Sequence, residues 1–201
     1  MLYIKWFILA ILDVLFNVIC YLTNPIVVLF ANEYGELPSI FRWWANWDDG
    51  LDVSWMVYEH EVPSWAEYDF NKHYIYHDEW EAEQITGRHK GFVELIDPKF
   101  TLKERFQRYF CRLAWIYRNC AYGFSYYVTG VEVCGADIVK HATYKNDGYM
   151  YYTAPNAWTY GYNQKSYGKF HWKIFLGWKI QDFKNIETKR CMLAFCINPW
   201  K

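Results

Sequence analysis

The chain lacks every short fingerprint that would tie it to a familiar chemistry. It has no G-x-S-x-G elbow, no Walker loop and no G-x-G-x-x-G turn, which leaves hydrolase, phosphate-cradling and dinucleotide-binding readings without their backbone machinery. None of its six cysteines, Cys20, Cys111, Cys120, Cys134, Cys191 and Cys196, falls in a C-x-x-C pair, which disfavours zinc ribbons and thioredoxin-like redox motifs. Cys20 sits in an apolar stretch, leaving an odd number elsewhere, so buried free thiols are expected rather than a disulfide framework. Neither charge is in excess: 21 basic and 22 acidic residues leave a formal charge of -1. A groove that tracks phosphates leaves a basic surplus, so nucleic acid is not an expected partner. There is no like-charge tail, internal repeat or low-complexity run.

What the chain has in abundance is rings. Trp, Tyr and Phe number 12, 19 and 14 in 201 residues, and each buries about 150–250 Å². Hydrophobic residues make up 53%, above the usual share of roughly 45–50%. That is enough to fill a core in a chain this short and to exclude disorder over most of it. Tyr and Trp also suit membrane interfaces and partner surfaces, where one polar end stays wet.

Residues 2–31 read LYIKWFILAILDVLFNVICYLTNPIVVLFA. The stretch from Trp6 to Phe30 has about the length a bilayer-spanning helix requires, with Lys5 as a positive flank and Tyr3, Trp6 and Tyr21 suited to the interface. No small-x-small cleavage site follows it, so an uncleaved anchor is expected rather than a signal peptide. Asp13 near the helix centre costs roughly 2.5–3.5 kcal/mol, while each Leu, Ile, Phe or Val returns only about 0.3–0.6 kcal/mol. Insertion is therefore marginal but feasible. Asp13, Asn17, Cys20 and Asn24 recur at helical spacing and form one polar stripe. Such a stripe calls for a partner: a second copy, another membrane protein or the protein's own domain. The competing reading is a buried helix of a soluble fold. Asn24-Pro25 is expected to end or kink the helix, and Lys5 with the terminal amine favours a cytoplasmic N-terminus.

Beyond this segment, residues 32–100 form an acidic, Trp-rich connector and an irregular region. The clearest helix covers 101–118. It opens on a capping box, Thr101 with Glu104, and repeats Phe106, Phe110, Leu113, Ala114 and Tyr117 at helical spacing. Strands are expected at 124–133, 149–153, 169–180 and 190–197, rich in aromatic and β-branched residues. The fold class is α+β: an N-terminal membrane or buried apolar helix (1–31), then a small antiparallel sheet of about four strands packed against one helix. Residues 101–201 form one domain with 32–100.

Two constellations could hold a metal. Asp48, Asp49 and Asp52 surround Gly50, an oxygen-rich turn of the kind calcium uses, although EF-hand spacing is absent; a simple Asp-Gly turn explains it as well. His73 and His77 lie four apart and would share a face on a helix, as metal ligands often do. The zincin pattern is missing, and a solvated polar face is the plainer reading. The sequence leans away from an enzyme and calls for no cofactor; a metal-dependent enzyme using these residues is the weakest alternative.

Several short motifs are distinctive: Thr23-Asn24-Pro25, Asn46-Trp47-Asp48-Asp49-Gly50, the run from Trp115 to Phe124 (WIYRNCAYGF), Gly177-Trp178-Lys179 and Ile197-Asn198-Pro199. Together, in this order, they resemble a family of uncharacterised tailed-bacteriophage proteins of about this length. Within it Arg118, Asn119, Tyr122, Gly123 and Phe124 match a motif that usually carries proline where this chain has Cys120. The resemblance implies a phage product acting in an infected bacterium and implies no activity. From the residues themselves, Arg118 and Asn119 followed by Gly123 read as a helix end and turn, with Arg118 paired to the Asp48–Asp49 turn. The function expected is a non-enzymatic protein anchored in the host inner membrane by one span, binding a protein partner there. A minor virion or ejection-associated protein is the alternative.

Overall fold

In the computed structural model the described residues are 1–45, 50–52, 64–66, 69–86, 92–143, 149–165, 171–180 and 187–198. The chain is α+β, an N-terminal apolar helix followed by antiparallel sheets packed with helices. It divides into two units, Met1–Phe16 with Phe124–Lys201 (unit 1) and Asn17–Gly123 (unit 2). Helix α1 (Leu2–Val27) contributes to both.

Unit 1 is built on a five-stranded antiparallel sheet, from strands β4 (Val139–Thr143), β5 (Tyr149–Ala154), β6 (Ala157–Lys165), β7 (His171–Trp178) and β9 (Leu193–Asn198), in the order β4-β5-β6-β7-β9. Ala154 faces Ala157, so Pro155 and Asn156 close a two-residue hairpin. A separate ladder joins β3 (Val131–Cys134) to β8 (Thr188–Cys191). The expected strand at 190–197 is thus two strands in different sheets. Between them Met192 turns its carbonyl to accept from the Lys179 amide at 2.8 Å. The expected strand at 124–133 is also divided, because α4 (Tyr122–Tyr127) occupies its first half.

The unit 1 core gathers Trp158, Trp178, Ile180, Leu193 and Tyr152, with Ala10 buried among them and Leu2, Trp6 and Leu9 packed against them. Gly177 is what lets the strands close here. Its φ is +98°, and a Cβ would sit 2.0 Å from the Trp158 carbonyl oxygen, so no other residue fits. Trp178 next to it is fully buried, and its indole N–H donates to the Thr129 carbonyl at 3.0 Å.

Unit 2 carries the rest of α1, a ladder of β1 (Tyr74–His77) with β2 (Phe92–Leu95), α2 (Glu79–Thr86) and α3 (Leu102–Arg118). The capping box forms as the sequence predicts: the Thr101 hydroxyl accepts from the Glu104 amide at 3.2 Å, and the Glu104 carboxylate accepts from the Thr101 amide at 2.7 Å. The buried face of α3 is rotated from the expected one. It holds Gln107, Cys111, Arg112, Trp115 and Ile116, while Phe106 is exposed. The cause is Arg112, drawn inward by Asp52. Arg112 Nε donates to Asp52 Oδ1 at 2.8 Å, its Nη2 donates to Asp52 Oδ2, and Arg108 adds a bond to the same oxygen at 2.9 Å.

Candidate functional site

Helix α1 is built inside out. At about 100° per residue, Asp13, Asn17, Cys20 and Asn24 fall on one side with Leu2, Trp6, Leu9 and Ala10, and that side is the covered one. Asp13, Cys20 and Asn24 are buried. The opposite side presents Ile4, Phe7, Ile8, Ile11, Leu15, Val18, Leu22 and Ile26, each exposed by more than two fifths of its surface. The exposed arc covers about half the circumference. A helix on a water-soluble fold normally places its stripe the other way round. With the 3-10 turn that follows it, Leu2–Phe30 is long and apolar enough to cross a membrane.

The Asp13 carboxylate, the Asn17 backbone carbonyl and the Asn24 side-chain nitrogen are each engaged within their own unit. In unit 1 the Ser125 hydroxyl on α4 donates to Asp13 Oδ1 at 2.5 Å, and Phe16 stacks on Phe124 with centroids 4.3 Å apart. The Trp6 indole N–H reaches the Gly177 carbonyl at 3.1 Å, while Tyr3 and Trp6 pack on the Trp158 ring. In unit 2 the Cys120 thiol lies between the Asn17 carbonyl, to which it donates at 3.7 Å, and Asn24 Nδ2, from which it accepts at 3.7 Å. The proline expected at this position could do neither, so Cys120 gives the stripe a buried partner.

Asn24-Pro25 does not end the helix, which continues to Val27. Proline leaves the carbonyl four residues earlier without its amide. That carbonyl, Tyr21 O, accepts from the Tyr117 hydroxyl at 3.0 Å. The carbonyl of Pro25 itself accepts from Tyr109 at 2.9 Å.

The motif residues Arg118, Asn119, Tyr122, Gly123 and Phe124 follow the end of α3. Asn119 is buried, and its amide bonds the Trp115 carbonyl at 3.1 Å. Ala121 takes a positive φ of 57°. Gly123 donates its amide to the Ala45 carbonyl at 2.8 Å, and a Cβ there would fall 1.8 Å from the Arg42 carbonyl oxygen. Residues 42–45 therefore press directly on its backbone. The Arg118 guanidinium lies 5.6 Å from the Trp115 ring. Its expected partner, the Asp48–Asp49 turn, lies outside the described residues.

Of the metal candidates, Asp48 and Asp49 lie outside the described residues, and Asp52, His73 and His77 are not brought together. Asp52 is the buried centre of the Arg108–Arg112 pair. His77 is the last residue of β1 and His73 immediately precedes the strand, so the two share no helical face. The intervening extended chain carries them about 13 Å apart. The Nδ1 of His73 lies 2.9 Å from the Asp97 carbonyl, and the ring stacks on Phe100. His77 meets Glu94 at 2.8 Å. Among the described residues no group of three His, Cys, Asp or Glu side chains is placed to hold a metal ion.

The residues that sequence reasoning missed are those that cover the stripe, Tyr117, Cys120 and Ser125, about 100 residues away in sequence from their partners on α1. The stripe itself was the usable signal, because the polar side of such a helix marks its inward face.

A model of a family described as "Family of unknown function (DUF7338)" matches residues 1–201, and the chain belongs to that family. No curated protein and no solved structure matches it.

Proposed function

We propose that this is a non-enzymatic protein of a tailed bacteriophage, held at the inner membrane of the infected bacterium by α1, where it acts through a protein partner. Modification of the host envelope against a second infection is one version of that role. The observation that supports it is the outward apolar side of α1. Its exposed Leu, Ile, Phe and Val residues return on the order of 3–7 kcal/mol together on the insertion scale. Asp13 puts no charge on the lipid-facing side, because it is buried on the covered side and accepts from Ser125 there. The phage setting is supported by the ordered motifs around Asn24, Arg118 and Gly177. Leu102 and Phe106, exposed one turn apart on α3, offer a protein partner an apolar contact.

Fractionation of bacteria expressing the full chain tests the reading. Retention in the membrane pellet through a carbonate wash is expected. Recovery in the soluble fraction would remove it and favour the virion reading, in which other particle proteins cover the same apolar face. Mass spectrometry of purified particles separates the two.

A further inference from the structure

We propose that α1 lies in the plane of one membrane leaflet rather than crossing the bilayer, with an uncovered aromatic rim of the unit 1 sheet at headgroup level. The inference rests on the membrane reading above and refines it.

The covered side of α1 argues against a span. Near its start, Tyr3 and Trp6 pack on Trp158, and Trp6 bonds the Gly177 carbonyl. Near its end, Tyr109 and Tyr117 bond the carbonyls of Pro25 and Tyr21. A spanning helix is wrapped in hydrocarbon, which would draw β6, β7 and the highly charged helix α3 into a medium that leaves sheet edges unsatisfied and makes charged side chains costly. A helix lying in the plane keeps its covered side toward the protein and its apolar side in lipid.

The width of the apolar side selects lipid over a second helix. A partner helix buries a seam along a and d positions, whereas the exposed arc here takes in about half the circumference. A leaflet covers such an arc without leaving exposed flanks. Length does not separate the two: the 26 residues of α1 measure about 39 Å at 1.5 Å per residue, enough to cross a roughly 30 Å hydrocarbon core with tilt and equally able to lie in the plane.

The sheet supplies the second part of the surface. Phe195 touches Trp6 with centroids 6.1 Å apart. The registers Leu176↔Phe195 and Ile174↔Ile197 place Ile197 and, by alternation along β7, Trp172 on the same face. All three are exposed. An in-plane helix about 10 Å thick sinks about 5–10 Å below the headgroup boundary. The sheet face beside it then meets the headgroups, the level that Trp favours.

The test uses the full chain in bacteria, with one epitope at each terminus, and protease added to spheroplasts and to inverted inner-membrane vesicles. Both epitopes are expected to be cut in the same preparation and protected in the other. Cutting in opposite preparations means a span and overturns the inference while leaving the membrane reading intact. Absence of the chain from both membrane preparations removes both. For the rim, the purified chain carrying Trp172→Ser and Phe195→Ser is added to phosphatidylethanolamine–phosphatidylglycerol vesicles. Partition is expected to fall about tenfold with unchanged circular dichroism; unchanged partition overturns the rim.

Discussion

The Tyr117 hydroxyl donates at 3.0 Å to the carbonyl of Tyr21, the acceptor that Pro25 deprives of its helical amide. Their rings also stack, with centroids 5.4 Å apart. One tyrosine on α3 thus repairs a proline inside α1. Tyr117→Phe is expected to cost about 0.5–1.5 kcal/mol in denaturant unfolding, the net contribution of one hydrogen bond. In a Pro25→Ala background the same change should cost far less, since alanine restores the amide. Equal costs in both backgrounds would show that the bond does not compensate the proline.

Gly123→Ala is expected to be severe. The added Cβ would fall 1.8 Å from the Arg42 carbonyl oxygen, a backbone atom that cannot swing aside, so a loss on the order of 3 kcal/mol or more is expected. Thermal melts of the variant in membranes or detergent check it. A shift of under a degree would mean that residues 42–45 are not seated on Gly123.

Asp52 holds two guanidinium groups, from the half-buried Arg108 and the buried Arg112. Asp52→Ala removes the carboxylate that both share and is expected to destabilise by roughly 3–5 kcal/mol. Calcium binding through Asp52 would have to break this pair. Addition of calcium is therefore expected to leave the melting temperature of the natural chain unchanged, and a clear rise would restore the metal reading.

Acid should loosen the start of α3. The Lys72 ammonium at 2.8 Å, together with the Thr101 cap, holds the Glu104 carboxyl well below its ordinary value of 4.5. A carboxylate favoured in the folded state stabilises it above its unfolded pKa, and the contribution is lost as pH falls below about 4.5 toward the depressed value. Glu104→Gln should flatten the stability profile on that acid side and leave its shape near neutrality. An acid limb of unchanged slope would rule out Glu104 as its source.

Burial pushes the Cys191 thiol up to about 11. Only the thiolate is the nucleophile, so Cys191 is expected to resist alkylation at pH 8 in the folded chain and to react in denaturant. Peptide mass mapping after a timed pulse of iodoacetamide measures the difference. Equal labelling in both states would mean that β8 opens readily.

Local chemistry made much of this legible in advance. The Thr101–Glu104 box fixed the start of α3 because both halves of the signal lie within one turn. The stripe from Asp13 to Asn24 was visible as spacing alone, and it marked the side of α1 that its own units cover. What periodicity could not carry was tertiary in origin. Phe106 and Phe110 outweigh Arg112 on any hydrophobic scale, yet Asp52 turns Arg112 inward and leaves Phe106 outside. Pro25 reads as a helix end until a tyrosine far along the chain supplies the missing donor. Met192, an apolar residue in an apolar run, gives no local sign that it separates two sheets.

The reversed polarity of α1 also dictates an order of events during translation. Asn24 waits for Cys120, and Asp13 waits for Ser125, across separations of 96 and 112 residues. At about 5–20 residues per second, the ribosome delivers those partners roughly 5–20 s after α1. Throughout that interval the newborn helix shows its apolar side and its unsatisfied carboxylate together. A nascent chain in that state needs early shelter, and under the proposed membrane role arrival at the membrane precedes the closing of the stripe.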